Sequence, residues 1–493
     1  MIDLTIDRNA LEKNIRKAKE NGIIIPTFSQ MRDPQTIPAF IQERLKKTGL
    51  WDVDPANLFR ITWKNEPKET GGLFGIPNYI ELPPALTGVK ARIICLVGKY
   101  FPTGCHKVGA SFGCLAPRLL TGQFDATAQK AAWPSTGNYC RGGAFNSKLL
   151  AVDSVAILPE GMSRERFDWL KTVATEIIAT PGTESNVKEI FDKVRELKET
   201  RKDVMIFNQF DEMGNYLWHY SVTGPAIAQV FESMAQRAGS LNFSGACFTS
   251  GSAGTLASGD FLKQQYPQSR LAVGEALQCP TILNNGFGAH RIEGIGDKHI
   301  PWVHNVKNTD MVIDIDDNDC MALLRLFNEQ AGKEYLAAGA GLCVEQIDEL
   351  ALMGISGIAN MLCCIKFAKY HELGETDVIA TVLTDSVEMY RSRLAELERE
   401  EGAYTPEKAA SDFAASLRGE GIDNMLELTM EERKRVHNLK YYTWVEQQGK
   451  TTEQLNAQWY NQEKNFLAVQ KQAGEIDALI NEFNDRTGLL KNA

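Results

Sequence analysis

A lysine surrounded by small residues is the first candidate for chemistry in this chain. Lys107 follows Pro102-Thr-Gly-Cys-His and precedes Val-Gly-Ala-Ser111. Small neighbours let a flat ligand approach the lysine amine, which forms a Schiff base with an aldehyde. A surface lysine after a turn has the same local sequence, so this segment decides nothing by itself.

Two other segments have the composition of anion sites. Ser135, Thr136, Gly137 and Asn138 precede a helical run, and the free N–H groups of a helix start bind carboxylates. Residues 248–259 form a Gly- and Ser-rich connection between an apolar run and a helical run, a composition that cradles phosphate. This connection has neither P-loop nor dinucleotide-fingerprint spacing. Each segment alone would also suit a plain capped helix or a tight turn.

A fourth segment, 382–390, ends the last strand-like run, where open α/β sheets bind ligands. Taken together, a reactive lysine, a carboxylate-binding helix start and a phosphate cradle match one cofactor. An aldehyde that carries a phosphate uses all three. The sequence therefore predicts pyridoxal 5′-phosphate (PLP).

Continuous apolar runs alternate with helical patterns in the middle of the chain. The runs cover residues 91–97, 154–159, 175–181, 203–207, 246–250, 270–276, 311–315 and 377–383. Apolar character on both faces is typical of buried parallel strands joined by helical crossovers. The last hundred residues have helical spacing and no strand-like run, with helix starts indicated at Thr405, Thr429 and Thr451.

The order of these segments resembles the β-family (fold type II) of PLP enzymes, which includes cysteine synthase, cystathionine β-synthase, threonine dehydratase and diaminopropionate ammonia-lyase. The resemblance covers roughly residues 80–392. Seven segments match in order, at 102–107, 135–140, 158–166, 208–215, 251–255, 294–301 and 382–390.

The resemblance implies a role for each matched residue. Lys107 forms the Schiff base and moves the Cα proton, and Asn138 bonds the cofactor 3′-oxygen. The other expected cofactor-binding residues are Gly251, Ser252, Ala253, Gly254, Thr255 and Ser386. The expected substrate-binding residues are Ser135, Thr136, Gly137 and Gln209.

Two departures from the family pattern bear on the reaction. The family serine that meets the pyridine nitrogen is replaced, in the matching stretch, by Gly339, which leaves Thr384, Asp385 and Ser386 as candidates. After Lys107 the sequence Val-Gly-Ala-Ser is closer to the ammonia-lyases than to the sulfhydrylases. This second departure favours elimination over replacement.

The expected fold is α/β, with two open, mostly parallel α/β domains, the PLP site in the cleft between them, and a C-terminal helical extension. We expect a segment 1–97 that contributes to the large domain, a small domain 98–230, a large PLP-binding domain 231–392 and the extension 393–493. The extension covers the α/β body, forms a subunit contact or is a solvated appendage. The family implies a homodimer.

The expected function is that of a PLP-dependent lyase. It catalyses α,β-elimination or β-replacement on a small amino acid through the Lys107 Schiff base and an aminoacrylate. The alternatives are an amino-acid synthase or racemase of the same fold, and a non-catalytic subunit that binds a partner through the helical extension. The sequence does not identify the amino acid.

Composition excludes several other classes of protein. Among 493 residues, 53 are Lys or Arg and 63 are Asp or Glu, giving a net charge of −10 that is unfavourable for nucleic-acid binding. No apolar run has the length of a membrane span, and the first residues do not form a secretory signal. The ten cysteines include no Cys-x-x-Cys pair. We therefore expect a cytoplasmic protein without a metal, a nucleic-acid partner or a membrane partner.

Overall fold

Eleven strands lie in the part of the chain that the computed structural model describes, residues 1–65, 74–135, 137–162, 164–182 and 187–491. In chain order they are β1 (Tyr79–Leu82), β2 (Arg92–Val97), β3 (Lys130–Pro134), β4 (Asp153–Pro159), β5 (Glu176–Thr180), β6 (Val204–Ile206), β7 (Asn242–Thr249), β8 (Arg270–Ala276), β9 (Met311–Ile315), β10 (Asp377–Leu383) and β11 (Met425–Glu427).

The α-helices connect these strands and form most of the C-terminal part. They are α1 (Arg8–Glu20), α2 (Phe28–Arg32), α3 (Ala39–Leu45), α4 (Pro84–Thr87), α5 (Lys107–Thr121), α6 (Asn138–Leu149), α7 (Arg164–Val173), α8 (Val187–Thr200), α9 (Met213–Trp218), α10 (Gly224–Ala238), α11 (Leu256–Gln265), α12 (Thr281–Asn284), α13 (Asp317–Asn328), α14 (Gln330–Ala338), α15 (Val344–Glu349), α16 (Ile355–Tyr370), α17 (Arg391–Glu401), α18 (Pro406–Asp412), α19 (Met430–Lys440), α20 (Thr452–Tyr460) and α21 (Phe466–Thr487).

The larger sheet has seven strands in the order β1-β2-β10-β7-β8-β9-β11. Its inner strands are parallel, and the two edge strands pair antiparallel. Alternate residues of β2 enter different cores, Ile93 and Cys95 on one face and Ile94 and Leu96 on the other. Burial on both faces explains why these strands are continuous apolar runs.

The smaller sheet is wholly parallel, in the order β5-β4-β3-β6. Ala132, Val155 and Ile157 are fully buried against Ile190 and Val194 of α8. Each of the eight apolar runs overlaps one of the observed strands. The fold class predicted from the sequence is confirmed. Strands and helices alternate along the chain, and the strands form two mostly parallel sheets.

The residues of the candidate site come from segments that follow the carboxyl ends of strands in both sheets. Lys107 follows β2, Ser135 follows β3, Gly251 follows β7 and Thr384 follows β10. Chain segments from separate sheets therefore meet at one place, as ligand sites of open α/β folds do.

The C-terminal extension packs on the N-terminal segment and the α/β body. Asn484 of α21 exchanges two hydrogen bonds with the backbone of Ile25, and Asp477 accepts from the N–H of Phe28 at the start of α2. Thr405, Thr429 and Thr451 cap helices, as expected.

The expectation that this region contains no strand was wrong. The three-residue strand β11 pairs with β9 at the edge of the large sheet. Three residues are too few to produce a recognisable alternation of apolar and polar positions.

No single helix among the described residues has the length and apolar content to cross a bilayer. The bent pair Val344–Leu352 and Ile355–Tyr370 meets these criteria only when both helices are counted together, across a bend of 113°.

Candidate active site

The amine of Lys107 lies where three segments meet. Lys107 is the first residue of α5, after a tight turn in which Thr103 has a φ of 71°. Its Nζ donates to Ser252 Oγ at 2.9 Å and to Gln209 Oε1 at 3.3 Å. Of the residues predicted to bind cofactor or substrate, these two are therefore in direct contact with the lysine.

The Gly-rich segment after β7 forms a strand-to-helix loop that precedes α11. Within the described residues, none of the backbone N–H groups of residues 251–255 donates to another group of the chain. A Cβ at Gly254 would lie 2.1 Å from Asn215 Oδ1, and one at Gly251 would lie 2.3 Å from the Gly294 oxygen. The loop therefore offers free donors at a helix N-terminus, in a space too tight for side chains at both positions.

The segment after β3 forms a second donor site at the start of α6. Ser135 Oγ accepts from the Gly137 N–H at 3.2 Å and from Gln209 Nε2 at 3.2 Å. Gly137 has a φ of 148°, a conformation that favours glycine. Thr136, also predicted to bind substrate, lies outside the described residues.

Asn138, the first residue of α6, has one satisfied and one unsatisfied amide atom. Its Nδ2 donates to Asp385 Oδ2 at 2.6 Å, whereas its buried Oδ1 has no partner in the described part of the chain. A buried amide oxygen without a donor is unfavourable, so this atom suits contact with a ligand.

A small cavity joins these segments, and we call it the lysine cavity. It is lined by Lys107, Ser135, Asn138, Tyr139, Gln209, Phe210, Gly251, Ser252, Gly294, Asp297 and Thr384. Its free volume is about 20 Å³, which is less than an amino acid needs.

Several of the residues predicted to bind cofactor or substrate do not line this cavity. Gly137, Ala253, Gly254, Thr255 and Ser386 are not among the described residues that line it. Thr384 lines it instead of Ser386, which is buried two residues further along. Gly339 directly follows α14, where its N–H donates to the Tyr335 oxygen at 2.6 Å, and no residue of the stretch 337–341 is among the described residues that line the cavity.

Asp297 is a cavity residue that the sequence analysis did not single out. Burial raises the pKa of its carboxyl to about 7, although the positive charge of Lys107 opposes this shift. Near neutral pH the carboxyl is therefore present in both protonated and charged forms, which suits proton transfer.

Asp385 is fully buried next to the cavity wall. Besides Asn138, it accepts a hydrogen bond from Tyr390 Oη at 2.8 Å. Burial raises the pKa of Asp385, and the charge of Arg166 and these hydrogen bonds oppose the rise. Asp385 thereby fixes the Asn138 amide and links it to the helix that follows β10.

Comparison with known families identifies the class of protein. The family model described as pyridoxal-phosphate dependent enzyme matches residues 89–385, which include all the strands that supply the cavity. The chain belongs to the pyridoxal-phosphate-dependent enzymes. Its cofactor is accordingly PLP, as the sequence predicts.

Curated relatives within this family include sulfur amino-acid enzymes. The chain is 30% identical over 260 residues to cysteine synthase of Staphylococcus aureus, a match that covers 52% of this chain and 74% of the relative. It is 24% identical over 325 residues to cystathionine beta-synthase of Saccharomyces cerevisiae, covering 64% of this chain and 60% of the relative.

Solved structures of PLP enzymes share the fold. A hydrogen sulfide-producing enzyme from Fusobacterium nucleatum superposes with a TM-score of 0.55 at 23% identity, over 71% of this chain and 95% of that enzyme. An O-acetylserine dependent cystathionine beta-synthase from Helicobacter pylori has a TM-score of 0.53 at 23% identity, over 64% of this chain and 94% of that enzyme.

The lysine cavity has the donor set that PLP requires. A lysine amine, an amide with a free buried oxygen and a loop of free N–H groups lie at one site. No group of three or more His, Cys, Asp or Glu side chains within the described residues is suited to hold a metal.

Proposed function

We propose that this PLP enzyme is a lyase that catalyses α,β-elimination on a small amino acid. One observation carries the proposal. Lys107 and Asp297, a base candidate and an acid candidate, line the same small cavity beside the free N–H groups of the Gly-rich loop. Elimination needs one group to remove the Cα proton and another to protonate the leaving group.

The cofactor would be held at three points. Lys107 Nζ would bond its aldehyde carbon, residues 251–255 would bind its phosphate through their N–H groups, and Asn138 would contact its 3′-oxygen. Thr384, which lines the cavity, replaces Ser386 as the candidate beside the ring. When bound to an amine, PLP withdraws electrons from Cα and makes its proton acidic.

The start of α6 would bind the α-carboxylate of the substrate. Ser135 and Gly137 adjoin the first turn of this helix, whose N–H groups favour an anion. Gln209 bridges Lys107 and Ser135, because its amide oxygen accepts from the lysine and its nitrogen donates to the serine. A carboxylate bound here keeps Cα within reach of Lys107.

The two ionisable groups of the cavity would divide the proton transfers. Lys107, once its amine is released, removes the Cα proton, and Asp297 donates a proton to the leaving group on Cβ. A pKa of about 7 keeps a fraction of Asp297 protonated at neutral pH, so it can act as this acid.

A β-replacement reaction is the second candidate. It is supported by the names of the relatives, cysteine synthase and cystathionine beta-synthase, both of which describe synthases. In this alternative a nucleophile takes the place of the leaving group. The presence of Lys107, of Asn138 and of the Gly-rich loop at one cavity argues against a subunit without catalysis, since such a subunit needs none of them.

The other expectations accompany this proposal. The partner is a small amino acid, the protein is a homodimer and the location is the cytoplasm. All ten cysteines are free, and only Cys343 is exposed, as suits a reducing compartment.

The test is a product assay on the PLP-loaded protein. Small amino acids with a β-leaving group are supplied one at a time, with and without sulfide, and keto acid, ammonia and any new amino acid are measured. We expect keto acid and ammonia in equal amounts without sulfide. Product that forms only when sulfide is present would replace elimination with β-replacement, and turnover unaffected by Lys107→Ala would overturn both reactions.

A further inference from the structure

The large sheet opens between β7 and β10 at the strand ends that lead to the lysine cavity. The two strands pair as far as Ala246 and Ala380, and each then continues for three further residues without pairing with the other. Over these residues β7 stays paired with β8, and β10 stays paired with β2. A crevice at the carboxyl ends of neighbouring parallel strands is where open α/β sheets bind ligands.

The side chain of Asn360 joins the two strands across this opening. Asn360 belongs to α16 and is 1% exposed. Its Oδ1 accepts from the Thr249 N–H at 2.7 Å, and its Nδ2 donates to the Val382 oxygen at 2.8 Å. One amide therefore bonds both strands at the level where they no longer pair with each other.

The groups that bridge the strands become longer towards the cavity. At Ala380 the backbones pair directly, and one residue later Thr381 Oγ1 donates to the Cys247 oxygen at 2.6 Å. Beyond this hydroxyl the bridge is the whole amide of Asn360. Because the amide is rigid, the strands can neither close into a ladder nor move further apart without losing a hydrogen bond.

Both atoms that Asn360 bonds lie close to residues of the lysine cavity. Thr249 is two residues before Gly251, the first residue of the Gly-rich loop, and Val382 is two residues before Thr384. Gly251 and Thr384 both line the cavity. The two strands that Asn360 joins therefore carry the proposed phosphate site and the residue proposed to lie beside the cofactor ring.

The amide is an unfavourable choice for packing alone. The helix α16 is buried along most of its length, and its sequence is mainly apolar. Asparagine is a poor helix former, and a buried amide is unfavourable unless hydrogen bonds satisfy it. We propose that Asn360 is a positioning residue that fixes the distance between the phosphate-binding loop and the Thr384 segment. This inference rests on the proposed function, which assigns the phosphate and the ring to these two segments.

Asn484 offers a matched control in another part of the molecule. It is 4% exposed, and its amide accepts from the Ile25 N–H at 3.0 Å and donates to the Ile25 oxygen at 2.8 Å. It lies in α21 and is not among the described residues that line the lysine cavity. A substitution at Asn484 removes an equivalent pair of hydrogen bonds without changing the spacing of β7 and β10.

Equilibrium dialysis against PLP tests the role, with each variant compared with wild type at the same pH. Asn360→Leu keeps the branching of the side chain but leaves the Thr249 N–H and the Val382 oxygen without a partner. We expect it to weaken PLP binding by about tenfold or more.

Asn360→Asp tests whether restoring the two bonds restores binding. A protonated aspartic acid has one oxygen that accepts and an O–H that donates, so it can replace both bonds of the amide. Burial raises the pKa of a carboxyl, which favours this form at pH 6. We expect PLP affinity within about threefold of wild type at pH 6 and at least about tenfold below wild type at pH 9.

The phosphorus-31 resonance of bound PLP gives a readout that does not depend on turnover, because it reports the surroundings of the phosphate. We expect it to be displaced in Asn360→Leu and to match wild type in Asn360→Asp at pH 6. Asn484→Leu and Asn484→Asp should lower the melting temperature but leave the PLP affinity and this resonance unchanged.

Wild-type PLP affinity in Asn360→Leu overturns the positioning role. So does an Asn360→Asp variant whose affinity relative to wild type is equal at pH 6 and pH 9, a comparison that decides even if Asn360→Leu does not fold. An equal loss of PLP affinity in Asn484→Leu assigns the effect to general destabilisation and also overturns the role.

Gly254→Ala separates this inference from the proposed function. If Gly254→Ala binds PLP as tightly as wild type, the proposed phosphate site is wrong. If Gly254→Ala binds PLP weakly while both Asn360 variants bind it normally, the phosphate site stands and only the positioning role fails.

Discussion

The lysine cavity has a neighbour of about 340 Å³, lined by Gly161, Met162, Glu293 and Arg393 among others, which we call the interdomain cavity. The polar groups of the two cavities are used differently. At the lysine cavity, the N–H groups of the adjoining loop 251–255 and the Asn138 oxygen have no partner within the described chain. In the interdomain cavity Glu293, Arg166 and Arg393 satisfy one another. Polar groups without partners indicate where a ligand completes the structure, and paired groups indicate where the protein holds its own parts together.

Because polar groups lack partners at one cavity and are paired at the other, we expect mutations in the two cavities to affect different properties of the enzyme. Substitutions in the lysine cavity should remove chemistry or cofactor binding. Substitutions in the charge network of the interdomain cavity should alter substrate affinity and stability while the chemistry remains. The changes below are ordered by the size of the expected effect.

Lys107→Ala should lower turnover by at least about 10³-fold, because the side chain supplies both the covalent attachment and the base. The loop 251–255 should still hold the cofactor through its phosphate in this variant, so PLP content and turnover should be measured together. Lys99→Ala is the matched control. This partly exposed lysine precedes the same turn, and among the described residues its one ion pair is with Glu388. Equal losses in the two variants would show that the effect is not specific to the lysine cavity.

Asp297→Asn should lower kcat by about 10²-fold, since it removes a proton donor from the cavity. The wild-type kcat should fall as pH rises above about 7, because the protonated carboxyl is the active form and burial raises its pKa to about 7. In the variant this decline should disappear. A pH profile of kcat checks both statements, with the exposed Asp348→Asn as control. An unchanged alkaline limb in Asp297→Asn would assign the acid to another group.

Gly254→Ala should weaken PLP binding by about tenfold, because its Cβ would lie 2.1 Å from Asn215 Oδ1 and displace the loop. Equilibrium dialysis against PLP measures the change. Gly474→Ala in α21 is the control, since a Cβ there has no atom within 4 Å. Wild-type affinity in Gly254→Ala would move the phosphate site away from this loop.

Arg393→Ala should have the smallest effect, a rise of about threefold in KM with kcat nearly unchanged. The change removes one partner of Glu293 and the bond to the Gly161 oxygen, while Arg166 still pairs with Glu293. Arg399→Ala, on an exposed position of the same helix, provides the comparison. A loss in kcat as large as that of Asp297→Asn would remove the distinction between the two cavities.

Much of the α/β body could be predicted because burial on both faces leaves a strong mark on sequence. The eight apolar runs each overlap a strand, and the run 311–315 is the whole of β9. The sequence analysis missed the strand β3, although the predicted site residue Ser135 directly follows it. Its sequence, Lys-Ala-Ala-Trp-Pro, is short and rich in alanine, and it forms a strand because β4 and β6 pair on both sides.

The candidate site was predictable where motif and geometry coincide. Five of the predicted residues line one cavity: Lys107, Asn138, Gln209, Gly251 and Ser252. They could be predicted because each follows a strand or lies in a segment that matches the family. Asp297 was missed although it lies within the matched segment 294–301. The fold places its carboxyl in the same cavity as Lys107, where desolvation raises its pKa. No local sequence pattern shows this placement. Among the three candidates Thr384, Asp385 and Ser386, sequence spacing did not indicate that Thr384 is the one that lines the cavity.

The central claim is that Lys107 carries the cofactor, and peptide mass spectrometry after borohydride reduction tests it most directly. Reduction makes the lysine–cofactor bond permanent, and digestion then locates the modified residue. The account predicts a phosphopyridoxyl group on Lys107 and none in Lys107→Ala. A modified lysine elsewhere in the wild-type protein, with Lys107 unmodified, would contradict it.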